Sequence, residues 1–208
     1  MRALAFILMA IMLTGCSKAI FKSKWTTQKS PEKFVARFET SKGAFDVQVN
    51  REWSPAAVDR FYQLLKHQFY DNTLFYRVVP NFVAQFGSGD TSINRKWNKF
   101  KVPDENVLYS NKKGSISFAR AGKETRGNAL FINLKDNPRL DTVNYEGVTG
   151  FPAFGNVTKG MDVVESLYSG YGDSTMKKPN QYFLNRQLFL KSFPKLDLIH
   201  KAYILKTS

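Results

Sequence analysis

Apolar and polar residues alternate at period two along Phe34-Val35-Ala36-Arg37-Phe38-Glu39 and again along Phe45-Asp46-Val47-Gln48-Val49-Asn50. That alternation predicts two strands with one buried face, and Thr40-Ser41-Lys42-Gly43 between them supplies the turn of an antiparallel hairpin. The period then changes. Val58, Phe61, Leu64, Leu65 and Gln68 fall near i, i+3 and i+4, which predicts a helix with an apolar stripe. Ser54-Pro55 opens it, a serine to cap free amides and a proline suited to the first helical position, and Asp71-Asn72 marks its end.

Two β-rich runs follow in Phe75-Tyr76-Arg77-Val78-Val79-Pro80-Asn81-Phe82-Val83-Ala84-Gln85-Phe86-Gly87, broken by a turn at Pro80-Asn81. Alternation puts Phe75, Arg77 and Val79 on one face. A guanidinium among apolar side chains is costly unless it has a task. With Phe82 and Gln85 close by, the stretch offers a fixed charge, an apolar wall and an amide, which suits gripping a neutral extended peptide. Thr91 to Lys101 reads as a basic loop around Trp97. A second helix is expected to begin at Gly160 and to end at Gly170. In the tail, Asn185–Phe193 is expected as a short helix, and Leu198–Leu205 as a last strand that pairs with the first and closes the sheet.

Composition adds to this picture. A chain of 208 residues, 43% hydrophobic, can bury one sizeable core, and 18 Phe with 9 Tyr favour a β-rich fold. Lys+Arg 31 against Asp+Glu 17 gives a net charge of +14. No nucleic-acid-binding motif accompanies that charge and it is spread along the chain, so a solvated surface with some attraction to anionic membranes is expected, and no nucleic acid. The single Cys16 excludes an internal disulfide, and His67 and His200 stand in no ligand-spaced motif, so no metal site is expected. No glycine-rich phosphate loop is present.

The first residues read as an export segment. Met1-Arg2 is a positive start, and Ala3–Leu13 is an apolar run too short for a spanning helix. Leu13-Thr14-Gly15-Cys16 resembles the bacterial lipobox, which implies cleavage after residue 15 and acylation of Cys16. Ser17 then favours the outer membrane, facing the periplasm. Residues 16–33 are expected as the lipidated cysteine and a basic tether, in which five lysines and Trp25 either lie near the headgroups or simply form a linker.

The stretch from Phe75 to Gln85 resembles the signature of the cyclophilins, the peptidyl-prolyl isomerases. The resemblance continues in order through Asp104-Glu105-Asn106, a strand and loop at Gly114–Gly122, a strand in Gly127–Asn133, the loop Asn137–Asp141 and a strand at Phe151–Val157, over about residues 34–206. It implies a mainly β fold, a closed eight-stranded antiparallel barrel capped by two helices. It also implies a groove in which Arg77, Phe82 and Gln85 are catalytic and Val83, Ala119, Phe131, Leu140 and Phe151 bind substrate. Some positions depart from the pattern. Tyr76 replaces a histidine, Arg120 an asparagine, Ala129 a glutamine and Phe151 a pocket histidine, and Arg139 stands where some members carry tryptophan.

The implied function is cofactor-free acceleration of X-Pro isomerisation during protein folding in the cell envelope. Its partners would be proline-containing peptides and unfolded envelope proteins, bound by a monomer, with altered peptide preference and poor cyclosporin affinity. Two other readings stay open: a proline-peptide-binding module that has lost most catalysis, and a basic envelope protein that binds anionic lipid or polysaccharide.

Overall fold

The structure, a computed structural model, describes residues 21–87, 91–177 and 185–207. Cys16 and the segment before it lie outside these residues. Strands β1 (Lys33–Thr40) and β2 (Gly43–Asn50) form the expected hairpin, in register from Lys33↔Asn50 to Thr40↔Gly43. Phe34, Ala36 and Phe38 of β1 and Phe45, Val47 and Val49 of β2 are buried in one core. On the other face Arg37 lies opposite Asp46 and donates two hydrogen bonds to its carboxylate, at 2.7 and 2.8 Å.

The remaining strands are β3 (Thr73–Leu74), β4 (Arg77–Val79), β5 (Val83–Phe86), β6 (Ser115–Phe118), β7 (Leu130–Asn133), the small pair β8 (Asn144–Tyr145) and β9 (Val148–Thr149), β10 (Ala153–Lys159) and β11 (Leu198–Thr207). All but β8 and β9 join one nine-stranded sheet in the order β3-β11-β1-β2-β10-β6-β7-β5-β4. The last strand pairs with the first, as expected. The closed eight-stranded barrel is not what forms, because no ladder joins the two edges.

Those edges, β3 and β4, are consecutive in the chain and separated only by Phe75 and Tyr76. Nine strands about 4.8 Å apart would set the edges of a flat sheet roughly 40 Å from each other, whereas this link spans at most about 11 Å. The sheet is therefore strongly curled, and a connector bridges the gap where hydrogen bonds were expected. The connector also interrupts the alternation. Phe75 packs into the core beside Phe86, ring centroids 5.1 Å apart, and does not share a face with Arg77. Tyr76 joins a smaller cluster with Leu74, Phe189 and Phe193.

Helix α1 (Pro55–Lys66) buries the predicted stripe of Val58, Phe61, Leu64 and Leu65. It ends before Asp71-Asn72, because Gln68 already takes a left-handed φ of 54°. Nor does Ser54 cap it. The Glu105 carboxylate accepts the amides of Ala56 (2.8 Å) and Ala57 (3.3 Å), as well as the Ser54 hydroxyl. A side chain 49 residues from Ala56 thus serves the helix end, with Arg126 paired to it at 2.9 Å.

The basic loop is instead helix α2 (Thr91–Asn98), with Ile93 and Trp97 at i, i+4 turned to the core. Short helices α3 (Arg139–Thr142), α4 (Met161–Glu165) and α5 (Arg186–Ser192) follow, and α4 stops well short of Gly170. Helix α5 lies within the tail stretch expected to be helical. Its cap is Asn185, whose side-chain oxygen accepts the Leu188 amide at 3.0 Å.

The described end of the expected tether is docked on the domain. A 3-10 turn, Ser23–Thr27, buries Trp25 against His67, with rings parallel and 3.8 Å apart. Trp25 therefore belongs to the core and not to a membrane interface.

Candidate functional site

The site is a row across three neighbouring strands. Arg77 of β4 lies opposite Gln85 of β5, and Gln85 lies opposite Phe131 of β7. Residues directly opposed in antiparallel strands share a face, so guanidinium, amide and phenyl ring stand side by side. The turn at Pro80-Asn81, with Asn81 at φ 55°, sets this register and brings Phe82 back beside Arg77. The Arg77 guanidinium sits 5.5 Å from the centre of the Phe82 ring.

A pocket of about 150 Å³ opens there, lined by Arg77, Phe82, Val83, Gln85, Ala119, Arg120, Phe131, Leu140 and Phe151. The structure brings together all eight residues that the sequence singled out, and adds Arg120. Val83, Phe131 and Leu140 form its buried apolar floor, with Phe82, Ala119 and Phe151 packed against them. The Phe131 and Phe151 rings meet edge to face at 5.9 Å.

Arg77 is four-fifths buried and partly engaged. Its Nη1 donates to Gln85 Oε1 at 3.1 Å and its Nε to Asp173 Oδ1 at 2.6 Å, which leaves Nη2 without a hydrogen-bond partner among the described residues. Asp173 is the second residue of the 3-10 turn Gly172–Lys177, in the stretch of chain after α4, and its side chain is 65% exposed. The arginine is thus held by a carboxylate while still lining the cleft. Behind it, the Tyr76 hydroxyl is hydrogen-bonded to Gln85. Burial raises the pKa of that phenol, against the opposing pull of the Gln85 hydrogen bond and the Arg77 charge, so it stays neutral.

A second wall comes from loops. Arg120 Nη2 donates to the Val148 carbonyl at 2.8 Å, Nη1 donates to that of Gly150, and the guanidinium stacks 4.2 Å above Phe151. Burial lowers its pKa. Two departures from the family pattern, Arg120 and Phe151, are therefore one contact.

A buried polar network fixes the pocket from behind. Asn137 donates to the Phe82 carbonyl (3.0 Å) and to Asn133 (2.7 Å), and Asn133 donates to Asn111 (3.1 Å). Asn111 in turn donates to Asp141 and to the Phe151 carbonyl, each at 2.8 Å. Sequence reading missed the roles of Asn111, Asn133, Asn137, Asp141 and Asp173. Asp141 was legible only as part of a loop, and Asp173 carried no local signal. Next to this pocket a wider cavity of about 370 Å³ is lined by Tyr76, Gln85, Asn94, Lys101, Asn128 and Met176, among others. Ala129, where the family pattern has glutamine, also lines it. Among the described residues no cluster of His, Cys, Asp and Glu could hold a metal ion.

Comparison with known proteins defines the class. The family described as cyclophilin type peptidyl-prolyl cis-trans isomerase/CLD matches residues 35–184. The chain belongs to that family, and is an isomerase. It is 31% identical over 169 residues to peptidyl-prolyl cis-trans isomerase A of Dickeya dadantii, covering 80% of this chain and 83% of that one. To a peptidyl-prolyl cis-trans isomerase of Acinetobacter baylyi it is 30% identical over 136 residues, 64% and 71% of the two chains. The crystal structure of a Cryptosporidium parvum cyclophilin-type isomerase shares the fold, with a TM-score of 0.62 at 18% identity, over 85% of this chain and 99% of that one. The same protein has been solved in the presence of the dipeptide Ala-Pro, and matches with a TM-score of 0.60 at 20% identity, over 83% of this chain and 99% of that one.

Proposed function

We propose that the protein accelerates rotation about X-Pro peptide bonds by stabilising the twisted amide with Arg77. The uncatalysed process takes tens of seconds, with an activation energy near ~20 kcal/mol, because amide resonance must be lost as the bond turns. In the twisted state the prolyl nitrogen becomes pyramidal and gains a lone pair. A guanidinium N–H can donate to that lone pair only then, so the interaction favours the transition state over either ground state. A gain of ~7 kcal/mol corresponds to about 10⁵-fold.

The observation that carries this reading is the opposed row Arg77–Gln85–Phe131 at one small apolar pocket. Phe82, Val83, Phe131, Leu140 and Phe151 hold the ring, and Ala119 and Gln85 hold the neighbouring backbone, so the twist is confined to one bond. Arg77 Nη2 is the donor left for the nitrogen. No proton is transferred and no cofactor takes part. A coupled proline-peptide assay tests this: Arg77→Ala should lower kcat/KM at least tenfold with unchanged circular dichroism, and equal rates reject the mechanism. Normal peptide affinity without acceleration in the wild type would select the non-catalytic binding module instead.

The reading extends to place. The positive start, the apolar run and Leu13-Thr14-Gly15-Cys16 support a chain anchored by acylated Cys16 in the cell envelope, with unfolded envelope proteins as clients. Cys16→Ala should then move the protein from the membrane to the soluble fraction. Unchanged membrane association counts against the anchor.

A further inference from the structure

A second cavity of about 370 Å³ lies between the docked N-terminal segment and α1, where Thr26, Lys29, Asp59, Arg60, Gln63 and Lys101 are among the residues lining it. Arg60 is the unusual member. It is 5% exposed, yet forms no ion pair among the described residues. Its two hydrogen bonds are long and go to neutral acceptors, Gln63 Oε1 at 3.3 Å and the Gly127 carbonyl at 3.4 Å. Its guanidinium lies 5.5 Å from the centre of the Trp97 ring. A buried, weakly satisfied cation of this kind costs stability unless a counter-charge joins it.

The described residues supply no such counter-charge. Asp59 is the one acidic residue on the cavity wall, and it is already spent. Its carboxylate accepts from Arg51 at 3.0 and 3.1 Å, from Lys29 at 2.9 Å and from the Ser30 amide at 2.9 Å. Burial alone would raise its pKa, but these donors bring it down to about 2. Lys101 also faces the cavity and makes no ion pair among the described residues. Burial lowers the pKa of Arg60 to about 10, which leaves it charged at neutral pH. Two cations without an acidic partner among the described residues, with Lys29 beside them, therefore converge on one polar space.

We infer that this cavity is a binding site for a phosphate group, separate from the isomerase pocket, with Arg60 as its buried anchor and Lys101 as its second cation. The surplus of two positive charges matches a phosphate dianion better than a single carboxylate. Arginine and lysine around a phosphate oxygen also make the stronger, charge-assisted kind of hydrogen bond. Gln63 ties the site to the N-terminal segment, because its side-chain amide donates to the Thr26 and Gln28 carbonyls at 3.1 and 2.7 Å. Two sources carry this chemistry: a free phosphate monoester and the phosphomonoester headgroup of phosphatidic acid.

Calorimetric titration of the full chain with inorganic phosphate, against sodium chloride of equal ionic strength, tests the site. Co-sedimentation with phosphatidylcholine vesicles containing phosphatidic acid tests the lipid source. The expected result is saturable binding of one or both probes, weakened at least about tenfold by Arg60→Gln and unchanged by Arg77→Ala. Phosphate binding identifies the soluble source, and vesicle binding that Arg60→Gln weakens, without phosphate binding, identifies the lipid. If Arg60→Gln does not fold, Lys101→Gln decides, with at least threefold weaker binding expected. Binding of neither probe, or full affinity in both variants, overturns the site. Loss of phosphate binding in Arg77→Ala would place the anion in the isomerase groove instead, and would also overturn it.

Discussion

Arg77 and Arg120 face the same pocket from different walls, each above an aromatic ring, Phe82 at 5.5 Å and Phe151 at 4.2 Å. Both are charged, partly buried and close to where a peptide would lie. Their hydrogen bonds separate them. Arg120 spends Nη1 and Nη2 on the carbonyls of Gly150 and Val148, so it braces the turn that carries Phe151. Arg77 spends Nε on Asp173 and Nη1 on Gln85, and its Nη2 has no hydrogen-bond partner among the described residues. The presence of a cation in a groove says little until its donors have been counted.

The largest effect that separates the walls is on turnover. If Arg77 acts as proposed, Arg77→Ala removes a donor to developing charge, and such donors are worth roughly 10²–10³ in rate. Its kcat/KM should fall by about 10², with little change in Tm, because Asp173 is mostly exposed and Gln85 keeps Tyr76 as a partner. Arg120→Ala should behave in the opposite way, losing about 1–2 kcal/mol of stability from two backbone acceptors and a stacked ring and raising KM more than it lowers kcat. Comparable kcat losses in both variants would erase the distinction.

A double-mutant cycle sharpens the comparison. If Arg120 and Phe151 form one brace, the pair Arg120→Ala and Phe151→Ala should show a coupling of about 1 kcal/mol in chemical denaturation. Arg120→Ala combined with Phe82→Ala should be additive. Coupling in the second pair would mean that the walls act as one unit.

The difference between the walls also marks what was legible. Arg77, Phe82 and Gln85 sit within nine residues, so strand alternation and a two-residue turn were enough to place them together. Phe131, Leu140 and Phe151 required the family pattern, because their meeting depends on pairings far apart in sequence. Asp173 reaches Arg77 across 96 residues from a 3-10 turn with no periodic signal. Glu105 replaced Ser54 as the cap of α1 for the same reason: local propensity was present, but a remote carboxylate competed better. Helix α2 was hidden by its charges, although Ile93 and Trp97 already had helical spacing. The closed barrel was implied by the family resemblance, and alternation could not correct it, because it reports which face of a strand is buried and is silent about how edges meet.

Asp173→Asn should have a smaller effect than these. Exposed ion pairs are worth about 0.2–1 kcal/mol, so if Asp173 only orients Arg77, kcat/KM should fall roughly two- to fivefold, and less at high salt. A rise in kcat/KM would reveal that the carboxylate restrains the arginine and competes with substrate.

The smallest expected change is with pH. Both walls are charged by arginines, which stay protonated throughout the neutral range. The two described histidines are elsewhere, His67 stacked on Trp25 and His200 in β11. Where the family pattern has a histidine beside the arginine, this chain has Tyr76, whose pKa is raised by burial. Between pH 6 and 9, kcat/KM should therefore stay level within about twofold. Tyr76→His would put a titrating group back. Burial and the neighbouring Arg77 charge both disfavour imidazolium, so its limb should fall below the ordinary value of about 6.5, with activity rising as the ring becomes neutral. A limb in the wild type between pH 6 and 8 would point to a proton-transferring group that neither wall contains.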